Sequence, residues 1–233
     1  MENEIELHGF NNLTKALSLN LYDVYYAETW EAQRACMASI NGRYNAERLA
    51  GILRGVADTI GAQVLGVSRQ DYQPQGASVT VLVAEEPVET GETVLGHLDK
   101  SHIAAHTYPE CHPRGGVATF RADIDVSTCG EISPLHALDY LIGSFAPHIV
   151  TLDYRVRGFT RDVSGTKLFM DHGIASIRDF IRPDVLHKYD AVDINNEQCN
   201  LFHTRLLAKE MDPRLRREMT EIWGGANLPD EID

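Results

Sequence analysis

The chain of 233 residues has few cysteines, no long apolar run and little positive charge. Its four cysteines are scattered and form no CxxC pair, which argues for free thiols rather than a disulfide framework. No stretch approaches the roughly 18 apolar residues that span a membrane. The acidic start Met-Glu-Asn-Glu lacks the basic and apolar regions of a secretory signal. We therefore expect a cytoplasmic protein without a membrane partner.

The charge balance argues against nucleic acid as a partner. The chain has 21 Lys and Arg against 34 Asp and Glu, a formal net charge of −13. A polyanion would be repelled unless basic residues clustered on one surface. An acidic protein suits a cationic ligand, although many cytosolic proteins are acidic for solubility alone.

Alternating and helical patterns predict an α+β fold, an antiparallel sheet with helices packed on one face. Helical spacing of Leu49, Ile52, Leu53 and Val56 indicates a helix within 28–58. Ser133 and Pro134 are typical of a helix start, as N-cap and first helical residue. Segment 11–22 suits a helix or a strand, and the chain from about 166 looks mainly helical. Predicted strands cover 62–68, 77–84, 101–109, 115–127 and 148–159.

The segment from 97 to 112 is rich in groups that can do chemistry, and the residues alone leave three interpretations open. His97, His102, His106 and His112 with Cys111 suggest metal ligands, but their spacing matches no standard zinc pattern. A serine hydrolase is disfavoured because Ser101 lies in no GxSxG turn. In the third interpretation, the Ser101 hydroxyl attacks the carbonyl of the preceding residue and forms an ester. Elimination of this ester then leaves a pyruvoyl group at the start of the new chain.

Several long motifs resemble bacterial S-adenosylmethionine decarboxylase, in the long form whose cleavage site is Lys-Ser. They cover most of the chain, from about residue 7 to at least residue 210, in the family's order. The motifs are HGFNNLTKALSLNLYDVYYAE, RQDYQPQGASVTVLVAEEP, LDKSHIAAHTYPE, HPRGGVATFRADIDVSTCG, ISPLHALDYLIG and TLDYRVRGFTRD.

The resemblance implies a single domain over 1–233 that cuts itself between Lys100 and Ser101. The products are a β chain of residues 1–100 and an α chain of residues 101–233 that begins with the pyruvoyl cofactor. In this family a histidine matching His106 is the processing base, and a serine matching Ser78 assists it. A cysteine matching Cys129 is the proton donor.

The implied reaction is decarboxylation of S-adenosylmethionine, which supplies the aminopropyl donor for spermidine biosynthesis. The substrate amine forms a Schiff base with the pyruvoyl carbonyl, which withdraws electrons as CO2 leaves. Protonation of the wrong carbon would convert the pyruvoyl group to alanine, so the placement of Cys129 matters. Glu110 matches the glutamate that holds the ribose. Phe10 and Tyr108 are candidates to stack on adenine, with core packing as the alternative for each.

The resemblance also implies a homo-oligomer of αβ units, a dimer or larger, with α/β–β/α layers. Its active sites are shared, the pyruvoyl and cysteine coming from one protomer and the histidine and serine from the other. Ser101 and His106 differ by an odd number, so a regular strand points them to opposite faces. Either the chain bends near the cut or the two residues serve different sites. The long form is magnesium-dependent as a family, which implies Mg²⁺, but no residues are predicted to hold it.

Two other functions need the same segment. A pyruvoyl enzyme on this scaffold could act on arginine or ornithine, in which case a carboxylate would be needed at the far end of the pocket. An unprocessed homologue could act as a regulatory partner, and such a protein would remain one chain.

Overall fold

The computed structural model describes residues 6–84, 101–112 and 115–223. Within them, eight strands form one sheet in the order β2-β3-β4-β5-β1-β6-β10-β9, and β7 and β8 form a separate pair. All neighbouring strands pair antiparallel. The strands are β1 Thr14–Tyr26, β2 Gln63–Asp71, β3 Ala77–Ala84, β4 Ser101–Cys111, β5 Val117–Cys129, β6 Ile149–Arg157, β7 Thr160–Arg161, β8 Lys167–Leu168, β9 Tyr189–Asp193 and β10 Leu201–Ala208.

The predicted strands are confirmed, and the ambiguous segment 11–22 belongs to a strand. Apolar residues at alternate positions of β1 point into the core, and polar residues between them point to the other face. β1 lies between β5 and β6, in the middle of the sheet. The central position of β1 follows from this mostly apolar row, which is buried under the helix layer.

Three helices cover one face of the sheet, as the composition predicts. The segment 28–58 divides into α1 Trp30–Arg43 and α2 Ala46–Thr59, because Asn45 caps a second helix by accepting from the Arg48 amide. The predicted apolar face of α2 is buried against β2 and β3. The third helix, α3 Leu138–Phe145, follows a short 3-10 turn at Pro134. Ser133 has extended backbone there, but its hydroxyl makes no capping hydrogen bond.

The prediction that the chain is mainly helical from about 166 is wrong. This region contains the sheet strands β9 and β10 and two short helices, α4 Pro183–Leu186 and α5 Arg216–Trp223. In β10, every second side chain (Phe202, Thr204 and Leu206) is buried in the core, as in a strand. This pattern is only eight residues long. No described helix is long and apolar enough to cross a membrane.

The second face of the sheet is polar over most of its area. The C-terminal helix α5 covers one end of it, where Met219 and Trp223 pack with Val24 and Ile149. Elsewhere this face carries polar and charged side chains in register, such as Ser18, which hydrogen-bonds to Asp125 across β1 and β5. We call this surface the open face.

Both sides of the predicted cut contribute to the same sheet. Strands β1 to β3 precede Ser101, and β4 to β10 follow it. β1 hydrogen-bonds to β5 and β6, and β3 hydrogen-bonds to β4. The two halves therefore share one core rather than forming separate domains.

We predict that a chain cut before Ser101 stays assembled without a covalent link. The two fragments should elute together in native gel filtration and separate only in denaturant, since parting them would expose both edges of the central strand β1. The uncut chain provides the reference elution volume. Separation of the fragments in native buffer would show that the shared sheet does not hold them together.

Candidate active site

Ser101 and Cys129 lie at the same end of the sheet. Ser101 is the first residue of β4, pairs with Val83 of β3 and is 5% exposed. β5 runs antiparallel beside β4 with His102 opposite Ser127, so continuing this register by one residue sets Ser101 opposite Thr128. Cys129 ends β5 directly after Thr128. The predicted pyruvoyl precursor and proton donor therefore lie on adjacent strands at the same end of the sheet, with their side chains on opposite faces.

Cys129 is half-buried, and its strand β5 pairs with β1 on the side away from β4. It is the cross-strand partner of Thr14, and the Thr14 hydroxyl lies 3.9 Å from the Cys129 sulfur. The next residue, Gly130, has a φ of 66°, a left-handed conformation that favours glycine. The strand therefore ends in a sharp turn immediately after the thiol.

Ser78 and His106, the two predicted processing residues, are direct cross-strand neighbours. They pair between β3 and β4, and both have the parity of the open face. The Tyr72 hydroxyl donates to the Ser78 oxygen at 2.8 Å. His106 is flanked on its other side by Asp123 of β5, and the pKa of Asp123 is raised, chiefly by burial. The structure thus forms a second polar site on the open face.

Within one chain, this second site does not reach Ser101. Ser101 and His106 lie five positions apart along β4, a span of roughly 16 Å in an extended strand. Ser101 is an odd-numbered residue of β4, and like Ile103 and Ala105 it has its side chain on the buried face (core parity). His106 is even-numbered, and like His102 it has its side chain on the open face (open-face parity). Because β4 is regular over this stretch, no local bend brings the two residues together.

The predicted substrate contacts are also dispersed. Tyr108 is 46% exposed on the open face, with the Arg121 guanidinium 4.2 Å from its ring centre. Glu110 lies farther along β4, close enough to α5 for its charge to help raise the pKa of Glu218, after burial and Glu221. Phe10 is 55% exposed and precedes β1. Lys100 lies outside the described residues.

Metal ligands do not cluster in the described part of the chain. In residues 6–84, 101–112 and 115–223, no three His, Cys, Asp or Glu side chains are grouped so that they could hold an ion. His102 and His106 do share the open face, as the alternation predicts. His97 lies outside the described residues.

A buried ionic network lies behind the Cys129 turn, and the sequence analysis missed it. The Lys15 ammonium is bound by the Asp171 carboxylate at 2.7 Å and donates to the Gly130 carbonyl at 3.0 Å. Asp171 also accepts from the Asn11 amide at 2.7 Å and from His172 Nδ1 at 2.6 Å. The Lys15 side chain is 3% exposed. The Tyr154 hydroxyl lies next to His172. We call Asn11, Lys15, Tyr154, Asp171 and His172 the Lys15 network.

Two groups of the network, Asp171 and Tyr154, have shifted pKa values. Burial alone would raise the pKa of Asp171, but hydrogen bonds from His172, Lys15 and Asn11 outweigh it and hold that pKa far below its usual range. Burial, with the nearby Asp171 charge, raises the pKa of Tyr154, whose hydroxyl lies 3.1 Å from His172 Nε2. The Tyr154 hydroxyl therefore remains protonated near neutral pH, and Asp171 remains an anion.

A sequence signal for this network exists in β1. The alternation of Leu13, Leu17, Leu19 and Leu21 reserves every second position for the core, and Lys15 occupies one of them. A lysine in a buried row is rarely tolerated without a paired anion. The partner Asp171 could not be read from spacing, since it lies 156 positions away in an irregular segment.

We predict that Asp171→Asn destabilises the fold by about 3–5 kcal/mol near neutral pH, because it leaves a buried ammonium without its anion. The folded-state pKa is lowered, so the carboxylate's contribution is complete above the unfolded value of about 3.9 and falls as pH drops below it. The difference between wild type and variant in urea unfolding should therefore shrink at acid pH.

Asp190→Asn is the matched control, because Asp190 pairs with Lys209 at 3.9 Å near the surface. Exposed pairs of this kind contribute about 0–1 kcal/mol. Equal losses of stability in the two variants would contradict a special role for the buried pair.

The fold and these strand-end residues define a class: an α+β protein with one antiparallel sheet, a helix layer and a serine–cysteine pair at one end of the sheet. A family model described as S-adenosylmethionine decarboxylase matches residues 23–158. The chain belongs to this family, which is a family of enzymes.

Curated relatives agree over nearly the whole chain. S-adenosylmethionine decarboxylase proenzyme from Clostridium botulinum is 51% identical over 267 aligned positions, covering 98% of each chain. The proenzyme of Alkalilimnicola ehrlichii is 54% identical over 264 positions, covering 97% of each. That of Chromohalobacter salexigens is 52% identical over 263 positions, covering 98% of this chain and 100% of its own.

Solved structures are more distant. Adenosylmethionine decarboxylase from Aquifex aeolicus aligns at 22% identity with a TM-score of 0.33, covering 71% of this chain and 95% of that chain. Family membership therefore rests on the sequence relatives.

Proposed function

We propose that this protein is a self-processing, pyruvoyl-dependent decarboxylase of S-adenosylmethionine. The observation that carries the proposal is the placement of Ser101 and Cys129 on adjacent strands at one end of the sheet, in a chain about half identical to decarboxylase proenzymes. The product would be the aminopropyl donor used in spermidine biosynthesis.

The surroundings of Ser101 suit a pyruvoyl group. Ser101 is buried at the very start of β4, so a cut before it creates a new terminus inside the fold rather than in solvent. Thr128 and Cys129 lie on the adjacent strand end. When formed, the group supplies an electrophilic carbonyl that takes up the substrate amine and withdraws electrons as CO2 leaves.

In this proposal Cys129 delivers the proton that the substrate's α-carbon receives after CO2 leaves. Cys129 is half-buried at the end of an interior strand, and its sulfur lies 3.9 Å from the Thr14 hydroxyl, so it is partly screened from bulk water. In the uncut chain, Cys129 has open-face parity and Ser101 has core parity. Cutting the Lys100–Ser101 bond removes the covalent restraint on Ser101, which allows the new terminus to turn toward the thiol.

Processing would use a second copy of the chain. Ser78 and His106 lie on the open face, roughly 16 Å along β4 from their own Ser101. Two open faces packed together in a two-fold dimer would bring Ser78 and His106 of one copy to the strand end of Ser101 in the other, giving the α/β–β/α layers and two equivalent sites. The Ser101 hydroxyl, which has core parity, would turn toward the open face at that strand end to meet them. Glu110, Tyr108 and Phe10 keep their proposed ribose and adenine roles in such a shared site.

Magnesium remains a proposal on the family's account alone, and no ligand residue is assigned to it. The acidic charge of the protein, −13, suits the cationic sulfonium substrate and not nucleic acid.

Intact-mass spectrometry of the purified protein under denaturing conditions tests the processing. Two chains of residues 1–100 and 101–233, the second blocked at its N-terminus by a pyruvoyl group, are expected. Release of CO2 from S-adenosylmethionine, but not from arginine or ornithine, would then support the substrate. Preference for arginine or ornithine would replace the substrate proposal, and a chain that stays whole would favour an unprocessed regulatory homologue.

A further inference from the structure

The Lys15 network lies directly behind the residue that follows Cys129. The Lys15 ammonium donates to the Gly130 carbonyl at 3.0 Å and lies 3.5 Å from the Glu131 carbonyl. Hydrogen bonds from a charged donor are shorter and stronger than neutral ones. This one acts on the backbone of the turn that begins at the thiol-bearing residue.

The network holds the ammonium from three parts of the chain. Lys15 lies on β1, the Gly130 turn follows β5, and Asp171 and His172 belong to the irregular segment after β8. Asn11 anchors the same carboxylate, and its own side-chain oxygen accepts from the Leu13 amide at 3.1 Å. The ammonium is therefore held by Gly130 and Asp171, and the Asp171 carboxylate is held in turn by Asn11 and His172, so the ammonium position is fixed.

Stability alone does not account for such a network. A buried ion pair contributes little or nothing compared with apolar side chains of the same volume. The next three core-facing positions of this strand, Leu17, Leu19 and Leu21, are filled by leucines, which would serve packing better. What the ion pair adds is a directional anchor for one backbone carbonyl.

We infer that Lys15 is a positioning residue for Cys129, with the ammonium holding the Gly130 turn and Asp171, His172 and Asn11 holding the ammonium. This inference rests on the proposed function. Lys15 and Asn11 belong to the N-terminal fragment, whereas Gly130, Asp171 and His172 belong to the C-terminal one. The N-terminal fragment thus places the proton donor of the other fragment after the cut.

The position of Cys129 determines which carbon receives the proton after CO2 leaves. After CO2 leaves, the electron pair must receive one proton at the substrate's α-carbon. If the proton instead reaches the adjoining carbon that derives from Ser101, hydrolysis by water leaves the substrate nitrogen on the chain as an N-terminal alanine. The rest of the substrate leaves as an aldehyde. A displaced Cys129 should favour this second outcome.

The test uses the processed enzyme with Lys15→Met, which keeps the aliphatic stem and removes the ammonium. Two readouts are measured: the rate of Cys129 alkylation by iodoacetamide, with Cys199 in the same sample as reference, and N-terminal alanine formed per turnover, read by Edman degradation. We expect Cys129 to react about tenfold faster relative to Cys199, the factor for one charge-assisted hydrogen bond, and alanine per turnover to rise about tenfold.

Lys209→Met is the matched control, since Lys209 pairs with Asp190 at the surface and its replacement should change neither readout. If Lys15→Met does not fold, Asn11→Ala keeps the ion pair and removes one hydrogen bond that holds the Asp171 carboxylate, and both readouts should move in the same direction by less. Cys129 reactivity and alanine formation equal to wild type in a folded variant would overturn the inference. A wild-type protein that neither cuts itself nor releases CO2 would instead overturn the proposed function.

Discussion

Ser101→Ala should leave the protein as one uncut chain and abolish decarboxylation. The hydroxyl is the only atom lost, at a residue 5% exposed and anchored by the β3–β4 pairing, so the sheet should form normally. Without the hydroxyl no ester forms and no pyruvoyl group is made, so CO2 release should fall by more than about 10³-fold. Denaturing gel electrophoresis and a CO2 assay measure the two effects.

Ser68→Ala is the matched control, because Ser68 is an exposed residue of β2 that pairs with Thr80 far from the cut. This control should process and react like wild type. A Ser101→Ala chain that is still cut at the same bond would show that another residue is the nucleophile.

Complementation between two inactive variants should restore cutting. Alone, His106→Ala should process about 10²–10⁴-fold more slowly for want of a base, and Ser101→Ala should not process. Co-expressed with different tags, they form mixed oligomers in which the intact His106 of one chain faces the intact Ser101 of the other. The His106→Ala chain should then be cut, because His106 and Ser101 of one chain lie on opposite faces, roughly 16 Å apart.

The origin of any cut chain is clear in this experiment, since the Ser101→Ala chain supplies no nucleophile. Tandem purification on both tags isolates the mixed species. An uncut His106→Ala chain within that species would contradict a shared processing site. Wild-type cutting of His106→Ala by itself would contradict the role of His106.

The strands around the site were predictable because their pattern is local. Alternation in 77–84 and 101–109 depends only on neighbouring residues, and both segments became β3 and β4. The same rule placed Ser101 and His106 on opposite faces. The helical prediction for the C-terminal third was wrong because β9 and β10 are short, and β10 joins the sheet by pairing with β6, which lies far earlier in the sequence. The weak local pattern was therefore mistaken for helix.

The sequence by itself determined the family, the candidate serine and cysteine, and the parity that separates Ser101 from His106. Motifs and alternation are properties of contiguous residues and survive without coordinates. Only the tertiary structure decided that Cys129 ends beside Ser101, that Ser78 adjoins His106, and that Lys15 meets Asp171. Those meetings depend on strand order and register, which are fixed by burying one apolar face under the helices across the whole sheet.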